Sequence, residues 1–512
     1  MKTRIPLRGI IVLTLAIPAM ANVSAQSADE EFKAPRIWDE NKLAGWTLPR
    51  GHQGLHQNYV TPEAYYGSPA YNTRTYPVYD PRQEPDGYWE WLHTLEPEPL
   101  VEPGVARSRD EWIRLGRDAF DQIDGVGFRM DDPEIIGFVR NPARISEENT
   151  TIAADGTIPR FRWVVESRGR VRLGIADCSA CHVRVLPDGS KLRGAPGNQL
   201  LGGPMRAAVG RVARENFLGP EFASMTPGEF PYALFGVPWL TNDHHAALKD
   251  MTPDELRPVQ SAEIPGTFPR VHGSPFWTTR IRDLRGVKHR PFLDATATHL
   301  NREPADIARY AAAVMYAGIP ASFGTHDTFP EGAPRPLYHI EDDVLFALAM
   351  FLYSLEPAEN PMKHRLNPAL VARGREVFEQ QDCARCHKPP DYSGDWLMPV
   401  GGYEVPEDHP LKDRIRRAPI DTDPGLALKT RKGTGLYKIP SLRGLWYRGL
   451  FGHDGSVSSL EDWFDPKRLD QDYVPTGWKG PAVEKRAVPG HEYGLNLSDE
   501  DKRSLIAFLE TL

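Results

Sequence analysis

The chain has 512 residues, a quarter of them charged, and 61 Lys and Arg against 69 Asp and Glu give a formal net charge of −8. The two signs are well mixed, so no basic stripe exists for nucleic acid, and no apolar run reaches the roughly 20 residues needed to cross a bilayer. With 44 Gly, 48 Pro and 10% aromatic residues, the chain is expected to be rich in loops folded over buried aromatic surface.

In chain order, Lys2, Arg4 and Arg8 precede an apolar run from Ile10 to Ile17, with small residues at Ala19, Ala21, Ser24 and Ala25. This reads as a signal peptide cleaved after Ala21 or, preferably, Ala25, which places the remainder in the periplasm or outside the cell. Residues 26–103, where Pro and Tyr recur, are expected to form an irregular N-terminal extension. Ser108-Arg109-Asp110-Glu111 is a capping box, and the helix it starts carries Ile113, Gly116 and Phe120. About sixty residues of insertion then lead to Cys178-Ser179-Ala180-Cys181-His182. This unit, 104–357, closes with an apolar helix from Val344 to Leu355, read as core, and Glu356 to Pro361 is the linker.

The second unit, 358–512, is more compact. Leu370, Val371, Gly374, Val377 and Phe378 recur at helical spacing and are followed by Cys383-Ala384-Arg385-Cys386-His387. The final helix has Ser498 as its N-cap, acidic residues in its first turn, and a stripe of Leu505, Ile506, Leu509 and Leu512.

All four cysteines fall in the two copies of one motif. Two thiols three positions apart can each add to one vinyl group of a porphyrin, and the adjacent imidazole then reaches the iron from the proximal side. The motif therefore predicts two covalently attached c-type haems, held by Cys178 and Cys181 and by Cys383 and Cys386, with His182 and His387 as proximal ligands. A pair of disulfides, or one zinc ion on four thiolates, are the plainer alternatives.

Lys438 to Trp446, followed by Gly452-His453-Asp454-Gly455-Ser456 and Ser459-Leu460-Glu461, resembles the di-haem cytochrome c peroxidase and MauG-type superfamily. The Pro275-Phe276-Trp277, Arg290 to Asp294 and Gly490-His491-Glu492-Tyr493-Gly494 segments are most similar to secreted di-haem rubber oxygenases. The resemblance implies a mainly α, loop-rich fold of two cytochrome c-like units. It also implies His491 as the sixth ligand of the C-terminal haem, with His453 as competitor and Met398, Tyr473 and Tyr493 as weaker candidates. For the N-terminal haem it implies an open face covered by Phe292, with Phe276 and Trp277 nearby. Such a site would bind O2 and cleave C=C bonds of an apolar, polyisoprenoid-like substrate, while the second haem relays electrons. The rivals are a peroxidase using H2O2, with Asp294, His289 or His299 as acid or base and a small redox protein as donor, a MauG-type enzyme that uses H2O2 to oxidise a protein side chain, and a plain electron carrier.

Overall fold

The computed structural model describes residues 30–51, 54–125, 129–148, 150–175, 177–199, 220–315, 320–328, 338–417 and 420–512; the expected signal peptide lies outside them. Two helix crossings of the same design organise the chain. Ser108 caps the helix Arg109–Gln122 and exchanges bonds with Glu111, the expected capping box. The helix buries Trp112, Gly116, Ala119 and Phe120 against the helix Asp342–Ser354, ten of whose residues are buried. A Cβ on Gly116 would lie 1.8 Å from the Ala347 carbonyl oxygen, so only glycine lets these backbones approach. One turn on, Phe120 meets Phe351 edge to face at 5.6 Å.

The C-terminal half repeats this contact. The helix Pro368–Gln380, capped by Asn367, crosses the terminal helix Asp499–Leu509, capped by Ser498 as its sequence predicts. A Cβ on Gly374 would lie 1.9 Å from the Ser504 oxygen, and Phe378 meets Phe508 at 5.4 Å. The shared order Gly116, Phe120 and Gly374, Phe378 is thus one packing solution used twice.

The insertion before the first cysteine motif adds β-structure to a chain expected to be mainly α. Strands Thr75–Tyr79, Thr157–Ser167, Arg170–Gly174 and Arg129–Met130 form an antiparallel sheet in that order. It closes a satellite core of Val78, Met130, Ile158, Trp163 and Leu173. The N-terminal extension, expected to be irregular, consists of short elements stitched over the first unit. Trp38 donates to the Val60 carbonyl and stacks on Tyr65 at 4.7 Å, while Trp46 donates to the Leu300 carbonyl. The strand Gln57–Tyr59 pairs with Pro320–Phe323. One apolar cluster then draws on both halves, joining Leu48, Phe292 and Ala295 to Leu397, Leu436 and Tyr437. Among the described residues no helix is long and apolar enough to cross a membrane.

Candidate haem sites

His387 follows the turn Cys383–Arg385 that ends the first crossing helix of the C-terminal half. Its Nδ1 lies 3.1 Å from the Pro440 carbonyl, an acceptor only, so Nδ1 carries the proton and Nε2 the lone pair. Across from it stands His491, with the two ring centres 6.4 Å apart. Two imidazoles that share one ion at metal–nitrogen bonds of about 2 Å have ring centres roughly 6 Å apart. Burial, followed by the facing His491, pushes His387 down to about 4, and burial pushes His491 to about 4. Both rings are therefore neutral and able to ligate at ordinary pH.

The loop that aims His491 is held by contacts that give no signal in the sequence. His491 has a left-handed backbone (φ 50°), and so does Gly490 (φ 84°), where a Cβ would lie 2.2 Å from the Ile420 oxygen. The His491 amide donates to that oxygen at 2.7 Å. The fully buried Arg468 donates to the carbonyls of Trp463, Val488 and His491, and Trp463 and Tyr493 flank the imidazole at 5.4 Å each. His453, the competitor, stands elsewhere, against Tyr437 at 4.8 Å with Nδ1 near Thr422. Met398 is buried in the strand Leu397–Pro399, paired with Tyr437.

The first motif is built differently. Cys178–His182 is one short helix whose N-cap, Asp177, accepts from the Ala180 amide. The hairpin of Val183–Val185 and Lys191–Arg193 folds back so that the Cys181 and His182 carbonyls accept from Gly197 and Gly194. Burial, then Arg270, pushes His182 down to about 4, with Asp283 and a backbone hydrogen bond to Arg282 opposing. Among the described residues no second histidine ring faces it. All four cysteines are free, and burial holds their thiols above the usual range, Cys383 at about 11. No three His, Cys, Asp or Glu side chains gather among the described residues, so the four thiols do not share one zinc site.

These residues fit two c-type haems: paired thiols beside a neutral imidazole at each motif, and a second imidazole at ligating distance in one. Phe292 is 1% exposed and lies in the cluster shared by the two halves, against which Trp277 also packs. Its neighbour Leu293 points into the other cluster, with Val183 and Cys178, as alternation along a strand requires. Phe276 and Trp277 meet His244 at 4.7 and 5.2 Å and line, with His453, Asp454, Trp478 and Arg486, a cleft of about 280 Å³. His289 sits apart from these, beside Glu356 and Asp391. Arg270 and Arg468 are the residues that sequence reasoning passed over, because nothing in their local pattern separates them from surface arginines.

No protein-family model matches the chain. Over 76 residues, 15% of its length, it is 37% identical to the methylamine utilization protein MauG of Methylorubrum extorquens, and the match spans 18% of that protein. Among solved structures it is similar to a Kuenenia stuttgartiensis hydrazine synthase under xenon pressure, at 15% identity over 56% of this chain and 87% of that one. A MauG-like protein associated with microbial copper homeostasis matches at 17% identity, over 56% and 89%. The TM-score is 0.28 for both, too low to carry an argument about shape. The likeness in sequence to MauG is thus confined to one segment, and the chain spans less than a fifth of that relative's length.

Proposed function

We propose that the chain is an exported di-haem c-type oxidoreductase whose reactive centre is the haem at His182. The observation that carries this reading is the inequality of the two motifs. His387 has His491 at ligating distance, whereas among the described residues no imidazole faces His182. A haem ligated on both sides passes electrons, and one with an open side binds O2 or peroxide. His387 and His491 then hold the relay, with Pro440 fixing the His387 tautomer and Arg468 the His491 loop. Phe292, buried beside the Leu293 that shares a cluster with Val183 and Cys178, supplies apolar surface on the His182 side, while Phe276 and Trp277 line the cleft of His453 and Asp454. O2-dependent cleavage of a C=C bond in a hydrocarbon is the first chemistry assigned.

A second chemistry, the use of H2O2, is favoured by Arg270. Its charge lies near enough to lower His182, and it pairs with Asp294 at 3.6 Å, so this side of the first site is charged rather than dry. Peroxide cleavage calls for such polar groups.

The test uses haem-loaded protein. His491→Ala is expected to convert the C-terminal haem from low to high spin, with His453→Ala leaving the spectrum unchanged. The first site is then given O2 with a small alkene and, separately, H2O2 with a reduced donor. Unaltered spectra in His491→Ala would remove the ligand assignment, and two low-spin haems that consume neither oxidant would leave only an electron carrier.

A further inference from the structure

Tyr59 of the N-terminal extension enters no haem reading, yet it is joined to His299, one of the acid or base candidates of the peroxidase reading. The Tyr59 hydroxyl hydrogen-bonds Nε2 of His299. On the far side of the ring, Nδ1 lies 2.7 Å from Thr298 Oγ1, and that hydroxyl donates to Asp294 Oδ2 at 2.7 Å. Because Thr298 gives its proton to Asp294, its oxygen can only accept from Nδ1–H, so Nε2 carries the lone pair that accepts from Tyr59. Burial alone would raise Asp294, but Lys432 at 3.0 Å and Arg270 outweigh it and hold the carboxyl well below its usual range. Burial, followed by Arg50, holds His299 well below its own. The loop pays for this arrangement with left-handed backbone at Asp294 (φ 61°) and Ala297 (φ 55°), a conformation alanine rarely adopts.

The surroundings are as specific as the bond. Ring centres run from Tyr310 to His299 at 5.0 Å, His299 to Trp46 at 4.6 Å, Trp46 to Tyr59 at 5.2 Å and Tyr59 to Trp38 at 5.4 Å. They continue through Tyr65 to the half-buried Tyr66 at steps of 4.7 and 5.1 Å. At the inner end, Arg270 donates to the Tyr310 hydroxyl at 2.9 Å, and Tyr59 and Tyr310 pack on the cluster that also receives Cys178 and contains Val183. Burial pushes the Tyr59 phenol above its usual range, so it does not ionise by proton loss alone.

We propose that Tyr59 is a redox-active tyrosine whose phenolic proton moves to His299 as its electron leaves. The O–H bond of Tyr59 breaks, an N–H bond forms at Nε2, and a neutral tyrosyl radical and an imidazolium remain, while the oxidant gains one electron. The oxidant is an oxidised haem iron at the His182 site, so the physiological role rests on the function proposed above. Asp294, reached through Thr298, offsets the new imidazolium charge. The Trp and Tyr rings beyond Tyr59 offer the oxidising equivalent a path to Tyr66.

The experiment uses the haem-loaded full chain with ring-deuterated tyrosine, frozen after oxidation and read by electron paramagnetic resonance. One arm uses H2O2; the other uses photogenerated ruthenium(III) tris-bipyridine, a one-electron oxidant that needs no haem. A tyrosyl signal is expected with ruthenium, lost in Tyr59→Phe and kept in Tyr310→Phe, and formed more slowly in His299→Gln. Far-UV circular dichroism establishes that each variant is folded. A ruthenium signal unchanged in Tyr59→Phe, or no tyrosyl signal at all, overturns the proposal even if the protein consumes peroxide. A Tyr59-dependent signal with ruthenium but none with H2O2 upholds the tyrosine–histidine pair and counts against the haem at His182 as its oxidant.

Discussion

Asp177 shows how a single residue trades stability for position. Its carboxylate accepts from the Ala180 amide and the Ser179 hydroxyl, fixing the first turn of the helix that presents Cys178 and His182. Burial pushes its pKa up to about 7, with the Ser179 bond and Arg162 opposing only in part. A carboxyl raised in the fold is protonated there while the unfolded chain has already ionised, so the folded state binds more protons between about pH 4 and pH 7. The resulting stability is fully present below pH 4 and is lost as pH rises through 7. Asn at this position keeps an acceptor for the cap and cannot ionise. Asp177→Asn is therefore expected to remove up to about 4 kcal/mol of the decline between pH 4 and pH 8, read by urea unfolding of the haem-loaded protein at both values. A wild-type and variant pH dependence that coincide would show that Asp177 is solvated and ionised in the fold.

At the scale of elements, the two helix crossings make a paired prediction. Gly116→Ala and Gly374→Ala each place a methyl group inside van der Waals contact with a backbone oxygen, and neither oxygen can move without shifting its helix. Each change is expected to lower stability by about 3 kcal/mol or more, above the usual overpacking range because the obstacle is backbone. Gly137→Ala, on the helix Pro133–Val139 with open space around the position, should be nearly neutral or stabilising. If all three behave alike, as thermal melting would reveal, the close approach is not what these glycines serve. The crossing helices were legible in the sequence because their caps and apolar spacing are local signals. Thr157–Ser167 was not, since a strand buried along nearly its whole length shows no alternation to separate it from a buried helix segment. The sequence separated His491 from His453 only through resemblance, and the geometry that aims it depends on Arg468 and Ile420, which carry no local mark. Tyr59 and His299, 240 positions apart, meet only because the extension wraps the loop.

At the scale of the molecule, one acidic side chain ties the two motifs together. Asp283, in the first half, accepts from the Tyr447 hydroxyl at 2.8 Å and pairs with Arg448 at 3.2 Å, both partners in the second half. Arg448, whose side chain is 3% exposed, also donates to the carbonyls of Ser441 and Arg443, bracing the segment whose Pro440 carbonyl holds the His387 ring. The same Asp283 charge acts on His182, opposing the burial that lowers it. Removing the carboxylate leaves Arg448 as a buried cation without its ionic partner, an uncompensated charge that costs about 3 to 5 kcal/mol. Asp283→Ala is therefore expected to destabilise the chain by that amount and to shift the spectrum of the His387 haem, because the Pro440 acceptor loses its brace. Asp283→Asn, which can still accept from Tyr447 but cannot neutralise Arg448, should fall between it and the wild type. Chemical denaturation read by tryptophan fluorescence, with absorption spectra of both haems, checks both halves of the argument. A loss of stability without any spectral change would mean that the two sites are joined by packing alone and not through Asp283.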